Sequence, residues 1–444
     1  MRVVIIGGNA AGMSAAAKLR RMNPEAEVVV YESKDYISFG ACGLPYFIGD
    51  FFENENRMIV RTKEQAEKAG IQVHLQHEVK NVDETKKTVQ VLNLKDQSIQ
   101  IVTYDKLMIA SGASAIVPSI KNASLANVFT LRNLEDGRSI REKMLDPNVK
   151  NVAIIGAGFI GLELVDAAVH QGKQVRVFQM EDRILKEVFE KEVTDILEQE
   201  LVEKGITLHL GTQVTELIGD DKVTHVKAEE VSYDADMVII TAGIRPNTSF
   251  LEDTSIKRVK NGAVVVDALG MTSVNEIYAA GDCAVVKHHL KSDSSYIPLA
   301  TTANKLGRIV GENLADAKKE FPGTLGASCL KLLSLEAGRV GLSEEEAKAD
   351  GYDVKSVFIT DKNHTDYYPG QEPIHVKLVY ENGTKKLLGG QIIGKSDAVM
   401  RVNVLSAAIT MGMTTEQLGM LDLCYAPPFA RTWDVLNIAG NAAK

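Results

Sequence analysis

The chain has 444 residues, 45% of them hydrophobic and 25% charged, an ordinary globular balance with length for about three domains. Its net charge of −9, with no basic stripe to neutralise phosphates, argues against nucleic acid, and no run of about 18 apolar residues is present to cross a bilayer. Four scattered cysteines without paired spacing predict a reducing, cytoplasmic setting, and a first strand starting at residue 3 predicts no signal peptide.

Val3-Val4-Ile5-Ile6 is a short β-branched run that leads into Gly7-Gly8-Asn9-Ala10-Ala11-Gly12 and then a helical pattern with Ala15, Ala16, Ala17 and Leu19. The order is strand, tight turn, helix. Small residues there let the backbone approach a pyrophosphate, whose charge is met by helix N-terminal N–H groups. Asn9 replaces the middle glycine of G-x-G-x-x-G, and asparagine's tolerance of left-handed backbone keeps the turn possible. Val28-Val29-Val30-Tyr31 is the next strand and ends in Glu32, a carboxylate suited to the ribose hydroxyls of an adenosine.

Cys42 follows, within Ser38-Phe39-Gly40-Ala41-Cys42-Gly43-Leu44-Pro45-Tyr46. No second cysteine stands at Cys-x2-Cys or Cys-x4-Cys spacing, so an internal redox disulfide is not expected. Cys42 is left to cycle through a sulfenic acid or a mixed disulfide with a small thiol.

After the apolar Lys106-Leu107-Met108-Ile109 comes Ala110-Ser111-Gly112-Ala113, and then the strand–turn–helix pattern recurs. Asn151 to Ile155 runs into Gly156-Ala157-Gly158-Phe159-Ile160-Gly161-Leu162-Glu163, with Val175 to Phe178 as the following strand. Two dinucleotides on one chain are predicted. Gln179 stands where Glu32 stood. A neutral amide neither grips a 2′-hydroxyl as a carboxylate would nor repels a 2′-phosphate, so NADH and NADPH both remain open. Arg183 and Lys186 beyond it read equally as phosphate contacts or as a solvated basic turn.

Thr241-Ala242-Gly243-Ile244-Arg245-Pro246-Asn247 and Thr272 to Asp282 carry further glycine turns, the latter delivering an acidic residue at the end of a strand. From Phe321-Pro322-Gly323 the texture changes. Leu330 to Val340, His375 to Tyr380 and Leu387 to Ile393 read as antiparallel strands, with a turn at Glu381-Asn382-Gly383 and helical patterns at Ala398 to Met411 and Thr415 to Leu421. His288 and His289 are adjacent, which points their side chains apart, and no metal is predicted. Cys283, Cys329 and Cys424 are expected to be buried small apolar residues, with Cys424 also placed beside Tyr425.

Together these motifs, spread over residues 1–320, resemble the two-dinucleotide-fold flavoprotein disulfide reductases. The resemblance implies an α/β chain with two doubly wound Rossmann-like domains and a C-terminal α+β dimerisation domain. It divides the chain into a discontinuous FAD domain (1–112 and 244–322), an NAD(P)H domain (113–243) and a dimerisation domain (323–444) that makes a homodimer. Gly7, Asn9, Ala10, Ala11, Gly12, Glu32, Ala110, Gly112, Asp282 and Ala303 are then FAD contacts. Gly156, Gly158, Phe159, Ile160, Gly161, Gln179 and Gly243 are the nicotinamide contacts.

Within that family, Ser38-Phe39-x-x-Cys42 followed by Gly43-Leu44-Pro45-Tyr46 resembles the coenzyme A disulfide reductases, in which one cysteine alternates between thiolate and a mixed disulfide with coenzyme A. Related NADH oxidases and peroxidases share Ser-Phe-x-x-Cys but usually carry a histidine near the first glycine turn, where this chain has Ala10, and lack the Pro-Tyr pair. Asp366-Tyr367-Tyr368-Pro369-Gly370 and Cys424-Tyr425-Ala426-Pro427-Pro428-Phe429 resemble the same group. The resemblance implies that Tyr367 and Tyr425 reach Cys42 of the other subunit, and that Ser14, Lys18, Arg21 and Ser38 bind coenzyme A. On residue type alone, the tyrosines read as buried or interface aromatics and Lys18 and Arg21 as a solvated helix face. The alternatives are an NADH oxidase or peroxidase cycling Cys42 as a sulfenic acid, a coenzyme A persulfide or polysulfide reductase, and a flavoprotein whose flavin serves sensing.

Overall fold

A computed structural model describes residues 1–444. The chain forms two compact units, one of Met1–Gly43, Phe52–Ala115 and Ile244–Thr324, the other of Leu44–Phe51, Ile116–Gly243 and Leu325–Lys444.

The first unit is built on a parallel five-stranded sheet in the order Ile277–Ala279, Lys106–Ile109, Arg2–Ile6, Glu27–Glu32, Ile71–Leu75. Between their polar ends the strands Lys106–Ile109, Arg2–Ile6 and Glu27–Glu32 are apolar because both faces are covered, whereas the edge strand Ile71–Leu75 exposes Gln72. Val3, Ile5, Val28 and Val30 pack with Ala15, Leu19, Leu306 and Val310 of two helices. The alternate residues Val4, Ile6 and Val29 pack with Val79, Val89 and Val91 of a small antiparallel sheet, as the two-residue side-chain period of a strand requires. Each such buried aliphatic side chain contributes about 1.5–3 kcal/mol. The helix Ala10–Met22 lies against Ala300–Leu314 at backbone contact distance. A Cβ on Gly307 would fall 2.4 Å from the Ala11 carbonyl oxygen, and one on Gly311 2.5 Å from that of Ala15.

The second unit repeats the architecture with a parallel sheet in the order Thr207–His209, Gln174–Phe178, Asn151–Ile155, Met237–Ile240, Val128–Thr130. It adds an antiparallel five-stranded sheet, Ser328–Leu332, Leu335–Gly341, Leu387–Gly394, Pro373–Glu381, Val354–Lys362, with helices Ala398–Thr410, Thr415–Gly419 and Val435–Ala442. Two doubly wound parallel sheets and an α+β C-terminal region thus match the fold expected from sequence. Leu330 to Val340 is a hairpin rather than one strand. Leu333 turns the chain at φ 53° between Leu332 and its cross-strand partner Leu335, without the Gly or Asn that normally announces such a turn.

The segment Leu44–Phe51 groups with the second unit. Arg141 donates to the Phe47 carbonyl and pairs with Asp50, Gln171 Nε2 donates to the Gly49 carbonyl at 2.7 Å, and Phe51 stacks on His170 at 4.3 Å. No helix is long and apolar enough to cross a membrane.

Candidate active site

Both glycine turns are sterically closed to side chains at the same two points. Gly7 has φ 104° and Gly156 φ 110°, values that only glycine adopts cheaply. A Cβ on Gly12 would lie 1.9 Å from the Gly7 carbonyl oxygen, and one on Gly161 2.0 Å from that of Gly156. At the middle position the two loops differ. A Cβ on Gly158 would meet nothing within 4 Å, so that loop faces open space.

Asn9 occupies this middle position in the first loop, at φ −100° and ψ −150°. That is extended backbone, so the tolerance of left-handed conformation invoked from sequence plays no part. Its side chain has a different use. Asn9 Oδ1 accepts the Phe39 N–H at 2.9 Å, and the Gly8 carbonyl accepts the Ser38 N–H at 2.8 Å. The cysteine-bearing segment is thereby tied to the glycine turn. On its other side, the Ser38 carbonyl accepts the Val60 N–H at 3.0 Å, and the Gly40 N–H donates to the Met58 carbonyl at 2.8 Å. Ser38 itself is left-handed, at φ 52°.

The acceptors after the second strands match across the two folds. Glu32 Oε2 accepts the Gly8 N–H at 2.7 Å, and Gln179 Oε1 accepts the Ala157 N–H at 2.9 Å. Beyond Gln179 the loop is satisfied internally. Arg183 donates to the Phe189 and Lys186 carbonyls at 2.6 and 2.9 Å, and Lys186 pairs with Glu181 and Asp182, both at 3.1 Å.

The residues fit bound dinucleotides. Helices Ala10–Met22 and Phe159–His170 start at the glycine turns without a side-chain cap, and Ala300–Leu314, which follows Leu299, also lacks one. Lys191–Glu203 and Ala398–Thr410 also start without one, whereas Lys63–Lys68, Leu134–Leu145, Glu344–Ala349, Thr415–Gly419 and Val435–Ala442 carry capping boxes. Uncapped first-turn N–H groups are donors for an anion such as a pyrophosphate. In the first unit, Gly281 at φ 87° brings the turn before Asp282 against two of these helices. A Cβ on Gly281 would lie 3.1 Å from that of Ala11 and 3.8 Å from that of Ala303. The Asp282 carbonyl accepts the Tyr296 hydroxyl at 2.9 Å. Ala110 passes the Ile6 carbonyl an N–H bond at 2.8 Å and leads into Gly112 at φ 68°. Ser111 Oγ donates to the Asn247 carbonyl at 2.6 Å and Asn247 Nδ2 to that of Ser111 at 3.1 Å. Gly243, at φ 107°, ends the second unit's share of this crossing.

Cys42 is exposed on the short turn Ala41–Gly43. Cys283 is fully buried, and burial pushes its thiol up to about 11, which makes it inert. Cys329 and Cys424 are exposed in the single chain, against the expectation that they would be buried. Cys329 takes the solvent-facing alternate position of strand Ser328–Leu332, and Cys424 lies in the irregular stretch that follows helix Thr415–Gly419.

Tyr367 and Tyr425, 58 residues apart in sequence, meet hydroxyl to hydroxyl at 2.9 Å. Both rings are exposed, as are Phe429, Trp433 and Met420, so the buried-aromatic reading does not hold within one chain. The bond to Tyr367 raises the Tyr425 pKa above its ordinary value. Cys42 belongs to the first unit and both tyrosines to the second.

The four residues expected to bind coenzyme A are placed separately. Ser14 Oγ donates to Asn304 at 2.8 Å and Lys18 pairs with the buried Glu312 at 3.1 Å. Arg21 is exposed at the helix end, and Ser38 is held at the first glycine turn. Sequence reasoning missed Glu163 as an unusual carboxyl. Burial, with Asp166 adding, pushes it up to about 7. Its place in the otherwise apolar run Phe159-Ile160-Gly161-Leu162-Glu163-Leu164-Val165 was the available signal.

The sequence pattern of the pyridine nucleotide-disulphide oxidoreductases matches residues 1–307, and that of their dimerisation domain matches residues 328–435. The chain is 38% identical over 445 residues to an NADH oxidase of Enterococcus faecalis, covering 100% of this chain and 99% of that one. It is 38% identical to an NAD(P)H coenzyme A polysulfide/persulfide reductase of Pyrococcus horikoshii, covering 100% and 98%. It is 31% identical to a coenzyme A disulfide reductase of Staphylococcus aureus, covering 100% of both. Among solved structures, an NAD-dependent persulfide reductase from A. fulgidus superposes with a TM-score of 0.95 at 33% identity, over 99% of this chain and 82% of that one. With its paired glycine turns and C-terminal antiparallel sheet, the chain belongs to the FAD-dependent pyridine nucleotide-disulphide oxidoreductase family, in the branch that holds NAD(P)H-dependent disulfide and persulfide reductases and NADH oxidases.

Proposed function

We propose that the chain reduces coenzyme A disulfide with NADH or NADPH, through a mixed disulfide between Cys42 and coenzyme A. The observation that carries this reading is the Tyr367–Tyr425 pair, two hydroxyls in contact at 2.9 Å and open to a partner. Disulfide reduction expels a coenzyme A thiolate, which takes up a proton as it leaves. A phenol within hydrogen-bond reach supplies one.

In this reading residues 1–112 and 244–322 hold FAD, 113–243 hold NAD(P)H, and 323–444 pair two chains into a homodimer of the cytoplasm. FAD, when bound, relays two electrons from the nicotinamide to sulfur. The protein's own residues do the rest. The Cys42 thiolate attacks one sulfur of coenzyme A disulfide, the S–S bond breaks, and one coenzyme A leaves as thiolate while the other stays bonded to Sγ. The leaving thiolate takes a proton from Tyr425 or Tyr367 of the partner subunit. Two electrons and a proton then release the second coenzyme A and restore the Cys42 thiolate. Ser14, Lys18, Arg21 and Ser38 are assigned to the coenzyme A, with Lys18 exchanging Glu312 for a phosphate.

A second acceptor is favoured by one observation. The 38% identity to a coenzyme A polysulfide/persulfide reductase supports attack by the same thiol on the S–S bond of a coenzyme A persulfide. The likeness to an NADH oxidase is tested by the same experiment. Intact mass spectrometry of protein isolated without reductant should show a coenzyme A adduct that maps to Cys42 and is lost in Cys42→Ser. A Cys42 carrying one oxygen atom only, with oxygen uptake matching NADH use, would replace this reading with the oxidase.

A further inference from the structure

We infer that Arg401 and Asp434 are positioning residues for the tyrosine pair, one guanidinium pinning both loops that carry the two hydroxyls. The inference rests on the proposed role of those hydroxyls in protonating the leaving thiolate.

Arg401 lies on the helix Ala398–Thr410. Its side chain is 11% exposed and that of Asp434 8%, and Nη2 meets Oδ2 at 2.8 Å. Nε adds a second bond to the same Oδ2 at 2.9 Å and a longer one to Oδ1 at 3.3 Å, so the guanidinium engages both carboxylate oxygens. The same Nη2 donates to the Asn363 carbonyl at 3.1 Å and to the Phe429 carbonyl at 3.0 Å, while Nη1 donates to the Asp397 carbonyl at 3.1 Å. The Asn363 and Phe429 carbonyls belong to the bases of different loops.

Asn363 closes the loop that carries Tyr367. Its N–H donates to the Glu372 carbonyl at 3.0 Å, and its Oδ1 accepts the Glu372 N–H at 2.8 Å. Phe429 ends the turn after Tyr425, its N–H on the Ala426 carbonyl at 2.9 Å. Thr365 Oγ1 also joins the loops directly, donating to the Pro427 carbonyl at 3.1 Å. Asp434 is itself held as the cap of helix Val435–Ala442, accepting the Leu436 N–H at 3.0 Å. The tyrosine rings are exposed, so their mutual distance is set at the loop bases, and those bases share one buried cation. Arginine is required for this. Its planar fork serves a carboxylate and several carbonyls at once, which the point charge of lysine does not.

The test uses FAD-loaded Arg401→Lys. Turnover of coenzyme A disulfide should fall about 10²-fold, the cost of an ångström-scale misplacement, with flavin reduction by NAD(P)H unchanged. The alkaline limb of the pH–rate profile should move to lower pH, because Tyr425 loses the bond that raises its pKa. Adding Arg401→Lys to the Tyr367→Phe, Tyr425→Phe protein should cost no further rate, since Arg401 acts only through the two hydroxyls. Ultraviolet titration of tyrosinate, as the difference between each protein and its Tyr425→Phe variant, reads the pair without turnover. Its midpoint should be raised with Arg401 and return to the ordinary tyrosine value with Lys.

An unmoved titration and wild-type turnover in Arg401→Lys would overturn the inference. A shifted titration with wild-type turnover in the Tyr367→Phe, Tyr425→Phe protein would uphold the positioning and sink the tyrosine chemistry instead. If Arg401→Lys does not load FAD, Asp434→Asn takes its place, since asparagine keeps the helix cap while removing the charge, and wild-type behaviour there would overturn the inference equally.

Discussion

The side-chain oxygen of Asn9 accepts the backbone N–H of Phe39, three residues before Cys42, so the residue that breaks the glycine motif also helps to tie the segment of Cys42 to it. Asn9→Gly restores the motif and removes one of the two bonds between the segment and the turn, leaving that of Ser38 to Gly8. FAD content should hold, because neither turn-closing glycine is touched, while thermal stability falls by about 0.5–1.5 kcal/mol for one lost hydrogen bond. Turnover should fall with it. Flavin absorbance and disulfide reduction measured side by side decide the matter, and loss of flavin with an intact turnover per bound flavin would show that Asn9 serves the cofactor rather than Cys42.

Nicotinamide choice is the second point open to measurement. Gln179 satisfies the Ala157 N–H without charge, so NADH and NADPH should be used within about tenfold of each other, roughly 1.4 kcal/mol. Gln179→Glu keeps the acceptor, hence the turn, and adds repulsion against a 2′-phosphate. The kcat/KM ratio should move toward NADH. An unchanged ratio would place the ribose elsewhere.

For the tyrosines, Tyr425→Phe should slow disulfide reduction by about 10²-fold or more, the usual cost of removing a proton donor, and Tyr367 in direct contact can mask part of it. The double variant should fall further. Mixing Cys42→Ser chains with Tyr367→Phe, Tyr425→Phe chains under subunit exchange should restore activity at one of two sites. No recovery, with exchange verified independently, would mean the tyrosines serve their own chain or do no chemistry.

Glu163 makes stability depend on pH. Its folded carboxyl is raised to about 7 by burial, so the folded state holds a proton that the unfolded state has already released between about pH 4.5 and 7. Stability therefore falls as pH rises through that window, by at most about 1.4 kcal/mol per pH unit. Glu163→Gln should flatten the dependence and raise the melting temperature at pH 8 relative to wild type. Equal slopes for the two proteins between pH 5 and 8 would assign the dependence to other groups, Asp166 first.

The parts legible in sequence were those whose chemistry is local. Gly7, Gly12, Gly156 and Gly161 could be read because a positive φ or a backbone contact leaves no other residue, and Glu32 and Gln179 because they follow a strand at fixed distance from a glycine turn. Tyr367 and Tyr425 were reached only through a family likeness. Their contact depends on two loops joined by Arg401, and nothing in either loop names the other. Leu333 hid a hairpin because a leucine in a left-handed turn gives no compositional sign. The use of Asn9 was hidden for a related reason, since its partner is a backbone N–H, which any residue at position 39 but proline would offer.

The first unit is assembled from three separated stretches of chain, and this orders its folding during synthesis. Lys106–Ile109 waits for Ile277–Ala279 at its edge, and the helix Ala10–Met22 waits for Gly307 and Gly311 to close on it. Residues 116–243 can meanwhile complete the parallel sheet of the second unit, all of whose strands lie within that span. The nucleotide fold that begins first along the chain is thus the later of the two to finish, its contacts being the less local.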